Sequence, residues 1–276
     1  MQVLGFDVTE LLILISALIG AGLIAGVLAG LLGVGGGVIL VPVLFQVFTF
    51  IKIDPDIVMH LSVGTSLATI IPTSIRSVKS HMAKGAVDVD LLKTWAVPVL
   101  IGTLFGSIIA AYADGFWLKA VFSGVVSIVG IKLLFGKEDW VLAKDIPFGW
   151  VNNLIAWVMG MFSTLMGIGG GTFAVTYMTL SSRKIHQAIA TSSGLGLLIS
   201  VPATLGYIVS GWSEPALPAM SLGFVNLWGV ALIIPATVFA APLGVKLAHS
   251  FSRRTLEITF ALLLFSVSIR FGMSLM

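Results

Sequence analysis

The chain has 276 residues, 58% of them hydrophobic and only 10% charged, with a formal net charge of +3 and a mean hydropathy of +1.10. A soluble domain carries roughly 25% charged residues, so this chain cannot coat itself for water, and lipid must be its solvent over most of the surface. The absence of cysteine excludes disulfides, thiolate metal sites and cysteine nucleophiles. The cationic bias is that of basic cytoplasmic loops and needs no nucleic-acid partner.

A membrane-crossing helix needs about 20 predominantly apolar residues. The first such run, about 9–32, lacks the basic leader of a signal peptide, because no Lys or Arg precedes Lys52; it reads as a mature membrane helix. A glycine cluster follows, then a short apolar stretch at 38–50. Long runs come next at about 61–78, 93–112, 117–135 and 147–166. A second glycine cluster precedes another short stretch, 172–180, and the chain ends in long runs at about 187–210, 222–248 and 254–273. At 1.5 Å per residue the two short stretches do not cross comfortably. The expected fold is an all-α integral membrane protein of eight long helices and two short, glycine-capped re-entrant or half helices.

The second half of that order echoes the first. Gly33-Val34-Gly35-Gly36-Gly37 matches Gly167-Ile168-Gly169-Gly170-Gly171, with Gly26 aligned to Gly160 upstream. His60, Thr65 and Ser66 match His186, Thr191 and Ser192, and Gly102, Gly106 and Ala110 match Ala240, Gly244 and Ala248. Leu118, Phe122 and Lys132 match Leu256, Phe260 and Arg270. We read two homologous halves, 1–138 and 139–276, within one integrated membrane domain.

Basic residues orient the chain. With the 79–92, 136–146, 181–186 and 249–253 loops inside, only Lys52, Lys119 and Arg270 of the fifteen basic residues fall outside, so 15 − 3 = 12 lie inside. Residues 147–180 must then enter and leave on the inner side as a hairpin, and 1–50 on the outer side. Three crossings follow each hairpin, so the halves have inverted topology and both termini lie outside.

Glycine permits backbone angles closed to other residues and close approach of another chain. Broken backbone at membrane depth survives only where it is buried in protein or lines a watery cavity. The helix starts after each cluster expose unpaired N–H groups and a positive dipole end, which suits a small anion. Candidate binding groups are therefore Gly35, Gly36, Gly37, Gly169, Gly170 and Gly171, joined by the hydroxyls of Thr65, Ser66, Thr191 and Ser192. The competing readings are helix packing for the glycines, which fits Gly22, Gly26 and Gly30 well, and back-bonding to their own helix for the hydroxyls. Pro72 and Pro202 are expected to interrupt the two Thr-Ser helices. His60 and His186 are expected in solvated or capping roles, with proton coupling the lesser option. Lys132 and Arg270 are read as snorkelling near helix ends rather than gating. Trp95, Trp117, Trp150, Trp212 and Trp228 are read as interfacial belt residues. No H-E-x-x-H, buried carboxylate pair or nucleophile elbow occurs, so no enzyme, cofactor or metal site is expected.

The signatures GLLGVGGGVILVPVL (30–44) and STLMGIGGGTFAVTYM (163–178), with the TS motifs after them, resemble the TauE/SafE family of sulfite exporters over essentially the whole chain. The resemblance implies a secondary transporter in the bacterial inner membrane that exports sulfite, a sulfonate such as sulfoacetate, or thiosulfate. One departure is that Pro42 stands in the first signature where Thr176 stands in the second. An anion channel, and a membrane scaffold or enzyme without transport, are the alternatives.

Overall fold

The computed structural model describes residues 2–3, 6–32, 36–135, 143–147, 149–248, 250 and 252–273. Among them ten helices follow one another: α1 (Val8–Leu32), α2 (Gly37–Phe50), α3 (Val58–Met82), α4 (Val89–Tyr112), α5 (Gly115–Phe135), α6 (Trp150–Met166), α7 (Gly171–Leu180), α8 (Ile185–Ser210), α9 (Leu227–Ala248) and α10 (Arg253–Met273). Six of these, α1, α3, α4, α5, α8 and α9, contain stretches long and apolar enough to cross a membrane. The fold is thus that of an all-α, multi-pass membrane protein. Helices α2 and α7 have 14 and 10 residues, and α6 has 17, fewer than the expected 147–166 run. Two small antiparallel hairpins were not anticipated: β1 (Gln2–Val3) with β2 (Phe6–Asp7), and β3 (Ser221–Leu222) with β4 (Val225–Asn226).

Buried polar side chains gather in the centre of the fold, among hydrophobic clusters, and the outer faces are apolar. Helices α3 and α8 are the central pair, 78% and 72% buried, against 33–39% for the other four spans. They are also the hydroxyl-rich ones: α3 alone buries Ser62, Thr65, Ser66, Thr69, Thr73, Ser74, Ser77 and His81. Side chains such as Val97, Ile108, Ile128 and Phe239 point outward from the surrounding helices. Lipid accepts those faces without cost, whereas a hydroxyl must find protein partners.

Small residues let the helices touch backbone to backbone. Along the α1–α9 interface, a Cβ on Gly26 would lie 2.5 Å from the Thr237 carbonyl oxygen, and one on Gly244 would collide with the Val27 carbonyl. The same device joins α4 to α6, where Gly160 meets the Val99 carbonyl and Gly106 the Met161 carbonyl, 2.6 Å from its Cβ position. Helices α5 and α10 meet through Ser123 and Ser268 and through Phe122 and Phe271, whose rings are 5.0 Å apart.

Two sequence expectations are corrected here. Pro72 and Pro202 do not interrupt their helices; α3 and α8 run through them. Near Pro72 the hydroxyls of Thr69 and Thr73 donate to the Ser66 and Thr69 carbonyls of the same helix. Trp95 is no belt residue. It is fully buried, and its indole N–H donates to Asn152 Oδ1 at 3.0 Å, across the α4–α6 interface. Trp117, Trp150, Trp212 and Trp228 are exposed.

Candidate functional site

The breaks in the fold fall at the glycine clusters. Helix α6 ends on Gly167 (φ 67°, ψ 28°), and α7 starts from Gly170 (φ 74°, ψ −8°). Between them Gly167 N–H donates to the Thr164 carbonyl and Ile168 N–H to the Ser163 carbonyl, closing α6 as glycine C-caps do. Helix α2 starts in the same way, from Gly36 at φ 79°, ψ −9°. These left-handed conformations are cheap only for glycine. Neither short helix has a side-chain cap. Every described residue of the two turns, 36–37 and 167–171, is buried. Gly35 lies outside the described residues.

The two turns meet. A Cβ on Gly37 would strike the Gly167 carbonyl oxygen and lie 3.0 Å from Ile168 Cα. A Cβ on Gly167 would lie 2.8 Å from Val41 Cγ2 and 3.1 Å from Val63 Cα. Ser66 Oγ, on α3, donates to the Gly167 carbonyl at 2.9 Å. Beside this contact runs a crevice lined by Val38, Met166, Ile168, Thr172 and Leu264, too narrow to admit a water molecule.

The other predicted hydroxyls have different duties. Thr65 Oγ1 accepts the Asn226 backbone N–H at 2.9 Å, and Asn226 Oδ1 in turn accepts Gly229 N–H in the first turn of α9. Thr191 Oγ1 accepts the Asp88 backbone N–H at 2.9 Å, and Asp88 caps α4 by accepting Leu91 N–H. Ser192 Oγ donates back to the Ile189 carbonyl of its own helix. Thr65 and Thr191 therefore seat the starts of α9 and α4, and Ser66 is the predicted hydroxyl that reaches a glycine turn.

Of the two roles expected for His60, solvated or capping, it takes the second: it is buried, and its Nε2 contacts the Ala110 and Ala113 carbonyls at 3.0 and 2.9 Å. Both partners are acceptors, so Nε2 carries the proton and caps the end of α4. His60→Ala is expected to cost about 1–3 kcal/mol by leaving buried carbonyls unpaired, read as a lowered melting temperature in detergent. An unchanged melting temperature would contradict this capping role. His186 is exposed and Lys132 half-buried; the Arg270 side chain lies outside the described residues.

Sequence reasoning missed a second matched pair. His81 Nε2 lies 3.3 Å from the Gly30 carbonyl, and Tyr207 Oη donates to the Thr164 carbonyl at 3.4 Å. His81 follows His60 by 81 − 60 = 21 residues and Tyr207 follows His186 by 207 − 186 = 21, so extending the His-Thr-Ser alignment would have found them.

Such a chain, multi-pass and helical, with its polar contacts gathered round two buried broken helices, has the architecture by which membrane transporters hold their cargo. It belongs to the sulfite exporter TauE/SafE family, whose profile matches residues 18–271, and is accordingly a membrane transporter. A probable membrane transporter protein of Haemophilus influenzae is 32% identical over 259 residues, covering 93% of this chain and 97% of the relative. Probable membrane transporter proteins of Methanocaldococcus jannaschii and Bacillus subtilis are each 26% identical, over 268 and 270 residues, covering 92% and 90% of this chain and 94% and 93% of the relatives. No solved structure matches the chain.

Proposed function

We propose that the protein is an alternating-access carrier of a small sulfur oxyanion or sulfonate, built from inverted halves 1–138 and 139–276. The observation that carries this reading is the meeting of the two uncapped, left-handed glycine turns, Gly37 against Gly167 and Ile168. Amide N–H groups and helix-dipole ends there receive the cargo without a fixed cation. The binding set is the described turn residues Gly36, Gly37, Gly169, Gly170 and Gly171, with Gly35 beside them and Ser66 fastening one turn to α3. Thr65, Thr191 and Ser192 hold the surrounding wall.

Inverted repetition is supported by the pairing of contacts. Helix α1 of the first half lies along α9 of the second, and α6 of the second along α4 of the first, through glycines that correspond in sequence. The Thr65–Asn226 and Thr191–Asp88 bonds are a further such pair.

The termini lie outside, in the inner membrane, by the distribution of basic residues. A membrane potential negative inside favours anion exit by ~2.3 kcal/mol per charge per 100 mV, so the direction is export. The test is flux into proteoliposomes with sulfite, thiosulfate, sulfate, sulfoacetate and taurine. Saturable flux of at least one sulfur oxyanion is expected. Flux of carboxylates alone, or resolvable single-channel currents, would overturn the reading.

A further inference from the structure

The two halves cover their equivalent helix ends differently. The loop from α3 to α4 spans 88 − 82 = 6 residues, and the loop from α8 to α9 spans 226 − 210 = 16. By the register that pairs Gly102 with Ala240, Asp88 answers to Asn226 and Ala86 to Phe224, since 226 − 88 = 224 − 86 = 240 − 102 = 138. The longer loop carries the β3–β4 hairpin and sets it against the first turns of α3. Phe224 is 7% exposed, with its ring 5.0 Å from that of His60. Its N–H donates to the Tyr207 carbonyl at 3.1 Å, and its own carbonyl fills the space where a Cβ of Gly64 would go. Two residues on, Asn226 N–H donates to Thr65 Oγ1. The next residue of α3, Ser66, is the one that touches the Gly167 turn. On the opposite face Ala86 is half-buried, and His186, the counterpart of His60, is exposed.

We propose that the β3–β4 hairpin is the outer gate of the cargo path, with Phe224 as its plug and no equivalent on the inner face. The inference rests on the transport reading above and on its orientation, which places the start of α3 outside. His60 and Ser66 lie 66 − 60 = 6 residues apart on one helix, about 9 Å at 1.5 Å per residue. Cargo leaving the glycine turns outward along α3 therefore meets Phe224 within two helical turns. The hairpin is also built to lift. Among the described residues it is tied to α3 and α8 by two hydrogen bonds, Phe224 to Tyr207 and Asn226 to Thr65, and its Met220 and Leu222 side chains are exposed. Elements held by few bonds open first, and lids that gate a site move in microseconds to milliseconds. Swinging Phe224 out uncovers His60 and Gly64 without parting the α1–α9 or α4–α6 interfaces, where backbone meets backbone. An anion released outward then leaves a site that closes behind it.

The chain has no cysteine, so one introduced thiol reports on one position. Phe224→Cys is compared with Met220→Cys, an exposed control on the same hairpin that replaces a residue 55% exposed. Each full chain is treated in proteoliposomes with N-ethylmaleimide, and excess reagent is removed before sulfite is added, because sulfite consumes maleimides. A gate that is mostly shut but opens in each cycle predicts a thiol at 224 that reacts to completion, at least about tenfold more slowly than one at 220, in proportion to its closed fraction. The adduct at 224 is too large to reseat against His60. It should lower sulfite flux at least about tenfold while sulfite still raises the melting temperature, as a bound ligand does; the adduct at 220 should change neither. Equal labelling rates, or no labelling at 224 in transport-active protein, would overturn the gate. So would unchanged flux after full labelling at 224, or loss of flux together with loss of sulfite binding. If Phe224→Cys is inert before labelling, sulfite binding decides: kept, it supports the gate; lost, it marks Phe224 as part of the scaffold. These contrary results in an active wild type remove the gate alone. A wild type inert toward every sulfur oxyanion removes the transport reading and this proposal together.

Discussion

Replacing Gly37 by alanine is expected to abolish flux, by on the order of a hundredfold, while Gly20→Ala leaves it intact. The added methyl group at position 37 meets only backbone: the Gly167 carbonyl oxygen, Ile168 Cα at 3.0 Å and Gly167 carbonyl carbon at 3.1 Å. No side chain is there to swing away. Overpacking of this kind costs about 1–3 kcal/mol, and backbone on both sides places Gly37 at the upper end. The turns must separate, and a displacement of about 1 Å in a positioned site is worth roughly a hundredfold. A Cβ on Gly20 meets nothing within 4 Å, and alanine there gains up to about 1 kcal/mol of helix propensity. Melting temperatures and initial flux rates of the two variants check the contrast. Equal behaviour would mean that the turns do not bear on one another.

The second large effect is on assembly. Gly160→Leu and Gly244→Leu should each cost more than ~3 kcal/mol, beyond the ordinary range for added core volume, because both Cβ positions fall on backbone carbonyls, of Val99 and Val27 respectively. In lipid the helices have no hydrophobic drive toward each other, so close backbone approach supplies most of the attraction. The expected result is loss of the monodisperse peak on size exclusion in detergent for both variants. Survival of either peak would place its interface elsewhere. Gly26→Leu, which meets Thr237 from the other side of the α1–α9 interface, should behave like Gly244→Leu.

Much of this arrangement was legible in the sequence because lipid imposes simple rules. Apolar runs gave the helices, and the duplicated glycines gave the breaks. What stayed hidden was which face of each helix meets protein. An apolar helix reads the same whether its neighbour is lipid or another helix. Trp95 could be assigned to a membrane belt only because its acceptor, Asn152, lies 57 residues away. His60 could not be assigned between water and a cap for the same reason: its carbonyl partners sit at the far end of α4. Prolines predicted breaks in α3 and α8, yet both helices run through them. The Thr-Ser dipeptides were picked out as one unit, yet Thr65 and Thr191 bond loop backbone whereas Ser66 bonds a glycine turn. Neighbouring positions on a helix point in different directions, so adjacency in sequence carried no common role.

Selenite is a heavier analogue of sulfite, and crystals grown with it would locate the cargo by anomalous scattering at the selenium edge. Cargo held by the free amides of the α7 start would give a selenium peak within about 4 Å of the backbone nitrogens of Gly171 and Thr172, at hydrogen-bonding reach of the oxyanion, since the Gly170 N–H already donates to the Ile168 carbonyl at 2.8 Å. A peak confined to surface lysines or arginines, with none between the two turns in crystals of transport-active protein, would contradict it.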